Sequence, residues 1–234
     1  MTAKRGRQVE KYFYFAMSLL VAVVVVYGFS NTIGVNLIHP TVPRPRLLYF
    51  HAAIFFGWLI FFIVQSGLVR TGNVRLHRRL GWFGVALGVT IVVLGVSTAI
   101  TMTRFKISEL HSTTAAMDMI VPMWDMIAFA VTFALAIYWR KRPEYHRRMM
   151  LVATCVLTAA GFGRYPIGLA YNYFYGGVDL LILLGVARDW MVNGRVHPVY
   201  LYVLPVFVFF QSVVIYTANH HSPYWVSLSN AILK

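Results

Sequence analysis

LHRRLGW, Leu76 to Trp82, stands directly before an apolar run that extends to Met102. YHRRMML, Tyr145 to Leu151, repeats the arrangement before a second run. A His-Arg-Arg triplet at the mouth of a long apolar stretch has a partial physical reason. Arg is costly in hydrocarbon and accumulates at the cytoplasmic ends of membrane helices. The arginines therefore mark helix ends, and the runs beside them decide the fold. The histidines fall outside that rule and need an explanation of their own.

The composition around these triplets agrees. Of 234 residues, 59% are hydrophobic and 12% charged, with a mean hydropathy of +0.66; soluble domains carry about 25% charged residues. A bilayer core needs roughly 20 apolar residues per helix. Seven segments qualify: Tyr12–Ser30, Leu47–Val69, Leu80–Met102, Thr113–Trp139, Met149–Ala170, Phe174–Val192 and Val199–Thr217. The expected fold is an all-α integral membrane protein, a single domain over 1–234 forming a bundle of seven transmembrane helices. The sixth segment carries Arg188 and Asp189 at one end and Gly176 and Gly177 at the other. Read as re-entrant, it would leave six.

The net charge of +14 follows the same geometry. With seven spans, one side collects Lys4, Arg5, Arg7, Lys11, Arg70, Arg75, Arg78, Arg79, Arg140, Lys141, Arg142, Arg147, Arg148, Arg188 and Arg195. The other has Arg44, Arg46, Arg104, Lys106 and Lys234. This asymmetry places the N-terminus inside and the C-terminus outside. It makes a lipid bilayer the partner in place of nucleic acid, in a cell membrane, with the bacterial inner membrane the expected location. KRGR precedes the first run, but YGFSNTIG lacks a small-x-small cleavage site, so an uncleaved first helix is expected. The single cysteine, Cys155, leaves no intramolecular disulfide to form.

The histidines repeat as well. His51 sits at the outer end of the second run and His77 at the inner start of the third; His111 and His146 take the same places on the fourth and fifth. The chain thus reads as a duplicated two-helix unit at 47–110 and 111–170. Facing helices can bring His51 to His111 and His77 to His146, and paired histidines can hold a haem iron from both axial sides.

In this order the residues resemble the ascorbate-dependent transmembrane cytochromes b, over roughly Phe50 to Leu169, with LHRRLG similar to that family's histidine at the start of its third helix. The resemblance implies haem b held by His51 with His111 and by His77 with His146, and electron transfer across the membrane. The chain also resembles uncharacterised bacterial multi-pass membrane proteins.

A second pattern lies in the fourth run, where His111, Asp118 and Asp125 fall at i, i+7 and i+14. A carboxylate facing lipid costs at least about 2.5 kcal/mol, so the stripe is expected to face protein or water. Pro122 lies between the two aspartates and predicts a kink. Depth matching pairs Asp118 with Arg164 of the fifth run. With Asp179, these groups suggest a polar cavity opening outward, with Asp118, Asp125 and Arg164 as candidate catalytic residues. Three functions fit. One is haem-based electron transfer. Another is a zinc site at His51 and His111, completed by Asp118 or Asp125, acting on a lipid or small-molecule substrate; there the chain is broadly similar to seven-helix metal hydrolases of the ceramidase and progestin-receptor type. The third is transport, proton relay or packing without catalysis.

Overall fold

The structure, a computed structural model, describes residues 2–166, 170–220 and 222–234, and every regular element among them is helical. In chain order these are α1 (Thr2–Ser30), a π-helical turn (Gly34–Ile38), α2 (Arg46–Arg70), α3 (Val74–Ser108), α4 (Ala115–Asp118) and α5 (Ile120–Tyr138). Then come α6 (Pro143–Val156), α7 (Ala159–Phe162), α8 (Ala170–Asn193), α9 (Pro198–Asn219) and α10 (Pro223–Leu233).

Five stretches among the described residues are long and apolar enough to cross a membrane: Glu10–Ser30, Arg46–Arg70, Val74–Ser108, Ala115–Tyr138 and Pro198–Asn219. Their outward faces are apolar, with Val23, Phe50, Trp82, Phe83, Val89 and Phe209 exposed. The interior holds Arg148, Arg188, Asp189, Asp125, Gln65 and Thr154. A protein solvated by water distributes these types the other way round. The chain is a multi-pass membrane protein.

The remaining two expected runs take different forms. The fifth is not one helix. Pro143 occupies the first turn of α6, where its missing N–H costs nothing. The helix ends at Val156, and Thr158 turns its hydroxyl back onto the Cys155 carbonyl at 2.6 Å before α7 begins. From Leu151 to Val156 every residue is buried. A helix buried all round is the centre of its bundle, and α6 packs against α1, α5, α8 and α9. The sixth run, expected to be the weakest, is one continuous helix of 24 residues.

Around that centre, α1 packs on α2, α2 on α3, α3 on α5, α5 on α9, and α9 on α8, which returns to α1. The tightest approach of a glycine to another helix's backbone joins α1 to α7. A Cβ added at Gly28 would stand 2.2 Å from the Gly161 carbonyl oxygen, so the two backbones nearly touch. Small residues allow such crossings inside membranes.

The fourth run is interrupted at Met119, and Pro122 falls in the first turn of α5. Met119 keeps helical dihedrals, and the irregularity lies where the Pro122 ring has no N–H for the Asp118 carbonyl, so the run still crosses as one stretch, Ala115–Tyr138. At the C-terminus α10 folds back beside α3 and α4. Its Trp225 indole N–H donates to the Ala116 carbonyl at 3.1 Å, and Arg104 donates to the carbonyls of Leu233 and Ile232 at its C-terminal end. A cation there complements the helix dipole.

Candidate functional site

The expected stripe of His111, Asp118 and Asp125 is broken up. His111 lies in the loop between α3 and α4, exposed, with a positive φ of 50°. His51 is on α2, stacked on Phe55 with ring centres 4.0 Å apart. The structure does not bring His51 and His111 into contact, and groups no three His, Cys, Asp or Glu for a metal among the described residues. Asp118 accepts a hydrogen bond from the Thr114 hydroxyl at 3.0 Å. Arg164 donates to the Ala160 carbonyl and covers the Phe29 ring at 4.2 Å. The expected Asp118–Arg164 pair is therefore not an ion pair, and Arg164 lies instead within electrostatic reach of His51.

Asp125 and Asp179 find neutral partners. The Tyr175 hydroxyl donates to Asp125 at 2.9 Å, and the Gln211 amide donates to Asp179 at 3.2 Å. Tyr175 and Asp179 stand one turn apart on α8, so this helix supplies both contacts. The outer polar groups are thus divided among separate hydrogen bonds. Beyond α9, His220 stacks on Tyr216, and His221 lies outside the described residues.

The opposite end of the bundle is more organised. His77, at the start of α3, and His146, at the start of α6, meet in ring contact with centres 6.3 Å apart and planes at 72°. They meet beside the end of α5, where His146 Nδ1 lies 2.8 Å from the Ala136 carbonyl. A carbonyl only accepts, so Nδ1 carries the proton and Nε2 of the neutral ring is free. His77 Nδ1 is buried without a well-formed hydrogen bond, with the Gln65 backbone nearby. Both rings are half-buried.

Two residues after His146 on α6, the second arginine of the triplet turns fully inward. Arg148 donates from Nε and Nη2 to the two oxygens of Asp189, both at 2.7 Å. Its Nη1 reaches the Glu144 carboxylate and carbonyl, also at 2.7 Å. Arg188 Nη1 donates to the same Asp189 at 2.8 Å. The side chains of Arg148, Arg188 and Asp189 are 1%, 0% and 0% exposed. A paired fork of this kind joins carboxylate to guanidinium with both charge and geometry satisfied. Glu144 faces solvent. Burial pushes its carboxyl up, but the Arg148 hydrogen bond and the charges of Arg147 and Arg148 outweigh that and hold it below the ordinary glutamate range. His197 caps α9, its Nδ1 accepting from the Val199 N–H at 3.2 Å. Burial and the Arg148 charge push its pKa down, which keeps that nitrogen free to accept.

Sequence reasoning missed this network. Arg188 and Asp189 count against a helix when hydropathy is read locally, and their partner lies 41 residues away. The one available signal was the pairing of opposite charges inside a run otherwise apolar.

A comparison with known family models, curated proteins and solved structures gives no significant match to this chain. The arguments for function accordingly rest on the chain's own residues.

Proposed function

We propose that this chain is a membrane electron carrier that holds one haem b at its Arg-rich end, with His77 and His146 as the axial ligands. The meeting of these two rings carries the reading. Metal–imidazole bonds of about 2 Å on each side, plus about 1 Å from each nitrogen to its ring centre, require roughly 6 Å between centres. The observed separation is 6.3 Å. The Ala136 carbonyl holds the proton of His146 on Nδ1 and so leaves Nε2 as a ligand, the usual device for orienting metal-bound histidine. Haem b bound there would supply one-electron redox chemistry. Helix α5 ends beside the rings and holds His146 through the Ala136 carbonyl, while Arg148 anchors the first turn of α6, next to His146.

The exposed position of His111 supports a single haem in place of two, and gives the zinc reading no ligand pair. Chain expressed with haem supplied is expected to purify red, with a sharp absorption band near the blue end of the visible spectrum. His77→Ala and His146→Ala should each remove it, and His111→Ala should not. A colourless wild-type protein under those conditions overturns the assignment.

The same reading takes α6–α7 and α8 as crossings. It gives seven in all, with the N-terminus on the cytoplasmic side of a cell membrane. The basic residues favour it, since Arg147 and Arg188 gather where Glu10 contacts both, at the end of the bundle from which α1 starts. A reporter that works only outside the cytoplasm should be active when fused after Lys234; activity of a cytoplasm-only reporter there would reverse the parity.

A further inference from the structure

We propose that the Arg-rich end also holds a seat for a phosphate oxyanion, formed by Arg188, Arg147, Tyr14 and Tyr200, with Glu10 as a built-in competitor. The carrying observation is a group of buried polar atoms with no hydrogen-bond partner. They are Arg188 Nε and Nη2, Arg147 Nε, and the hydroxyls of Tyr14 and Tyr200. Arg188 is fully buried and Tyr200 is 1% exposed. Leaving such groups unpaired costs about 1–3 kcal/mol each, more for charged ones.

These atoms belong to one place. The guanidinium groups of Arg147 and Arg188 lie over the Tyr14 ring at 5.4 and 5.6 Å. Both also face the same oxygen of Glu10, at 3.8 and 3.5 Å. Tyr200 presses its hydroxyl against Gly185, one turn before Arg188, where a Cβ would stand 2.3 Å from it. Four helices, α1, α6, α8 and α9, contribute.

The chemistry selects the ligand. The guanidinium nitrogens can only donate and the tyrosine hydroxyls are free to do so, which suits an acceptor with several oxygens. Water can fill some of these bonds, but only an anion can take the place of Glu10. Arg147, Arg148 and Arg188 stand against Asp189, Glu144 and Glu10. Glu10 is 49% exposed and sits beyond the 2.7–2.9 Å of a charge-assisted hydrogen bond. It therefore balances the arginines without satisfying them. Exchanging its carboxylate for a phosphate conserves charge and supplies more acceptor oxygens. The phosphate can come from a lipid headgroup or from solution. The seat does not depend on the haem reading.

The test uses the full chain in neutral detergent and follows its thermal unfolding. Inorganic phosphate is titrated against chloride at equal ionic strength, and phosphatidylglycerol against diacylglycerol with the same chains. A saturable rise in Tm is expected with one or both phosphate probes. Response to inorganic phosphate identifies a soluble oxyanion, and response to the lipid alone identifies a headgroup; either supports the seat. Glu10→Gln removes an exposed competitor and should tighten binding up to about fivefold. Tyr14→Phe keeps the packing, removes one donor to a charged ligand and should weaken binding about tenfold. The proposal fails if neither probe raises Tm above its control, or if both variants bind as the wild type does.

Discussion

Asp189→Asn should destabilise the folded chain by about 3–5 kcal/mol, because it strips the shared carboxylate from two buried arginines at once. Arg148 loses a charge-balanced fork, and Arg188 loses its one short ionic contact. Glu144 and Glu10 cannot substitute, since both lie toward solvent with side chains 54% and 49% exposed. Asp118→Asn is the matched control: its carboxylate accepts from Thr114 and makes no ion pair among the described residues, so its effect should stay near the roughly 0.5 kcal/mol of an ordinary surface change. Unfolding in detergent measures both. Removing the three buried charges together, with Arg148→Met, Arg188→Leu and Asp189→Leu, should recover stability that Asp189→Asn loses. Should Asp189→Asn unfold within experimental error of the wild type, the network is not what holds α6 to α8.

Gly28→Ala is the second large effect. Its new methyl would stand 2.2 Å from the Gly161 oxygen and 2.7 Å from the carbonyl carbon, and backbone has no rotamer with which to yield. Helix α1 must then move away from α7, at a cost at or above the roughly 1–3 kcal/mol of overpacking. Gly161→Ala meets Val25 Cα at 3.2 Å and should cost less. Gly57→Ala has nothing within 4 Å and should gain up to about 1 kcal/mol from helix propensity. The order Gly28, Gly161, Gly57 in thermal stability checks the geometry; equal effects would show that the crossing tolerates a methyl.

The all-helical membrane fold was legible because hydrocarbon imposes a strong local rule on length and apolarity. Five of the expected runs, from Tyr12–Ser30 to Val199–Thr217, correspond to helices that meet it. What escaped was anything settled by distant partners. The i, i+7 stripe of His111, Asp118 and Asp125 presumed a helix reaching back to His111, whereas the helix begins at Ala115 and Thr114 bonds the Asp118 carboxylate. Asp118 and Arg164 were matched by depth alone, and each found a nearer partner within its own segment. The repeated His-Arg-Arg was visible, but its members diverge. Arg78 and Arg79 are exposed, while Arg148 is sealed against α8, the run whose charged end argues locally against a span.

The central position of α6 also sets a timetable for synthesis. The segment carries Arg148 and ends at Val156, so it reaches the bilayer before the buried carboxylate that pairs with Arg148 has been made. Asp189 follows Arg148 by 41 residues. At roughly 5–20 residues per second, that carboxylate is made about 2–8 s later. During that interval α6 must wait at the insertion machinery or at the membrane surface. The emergence of α8 from the ribosome is the event that locks it into the centre.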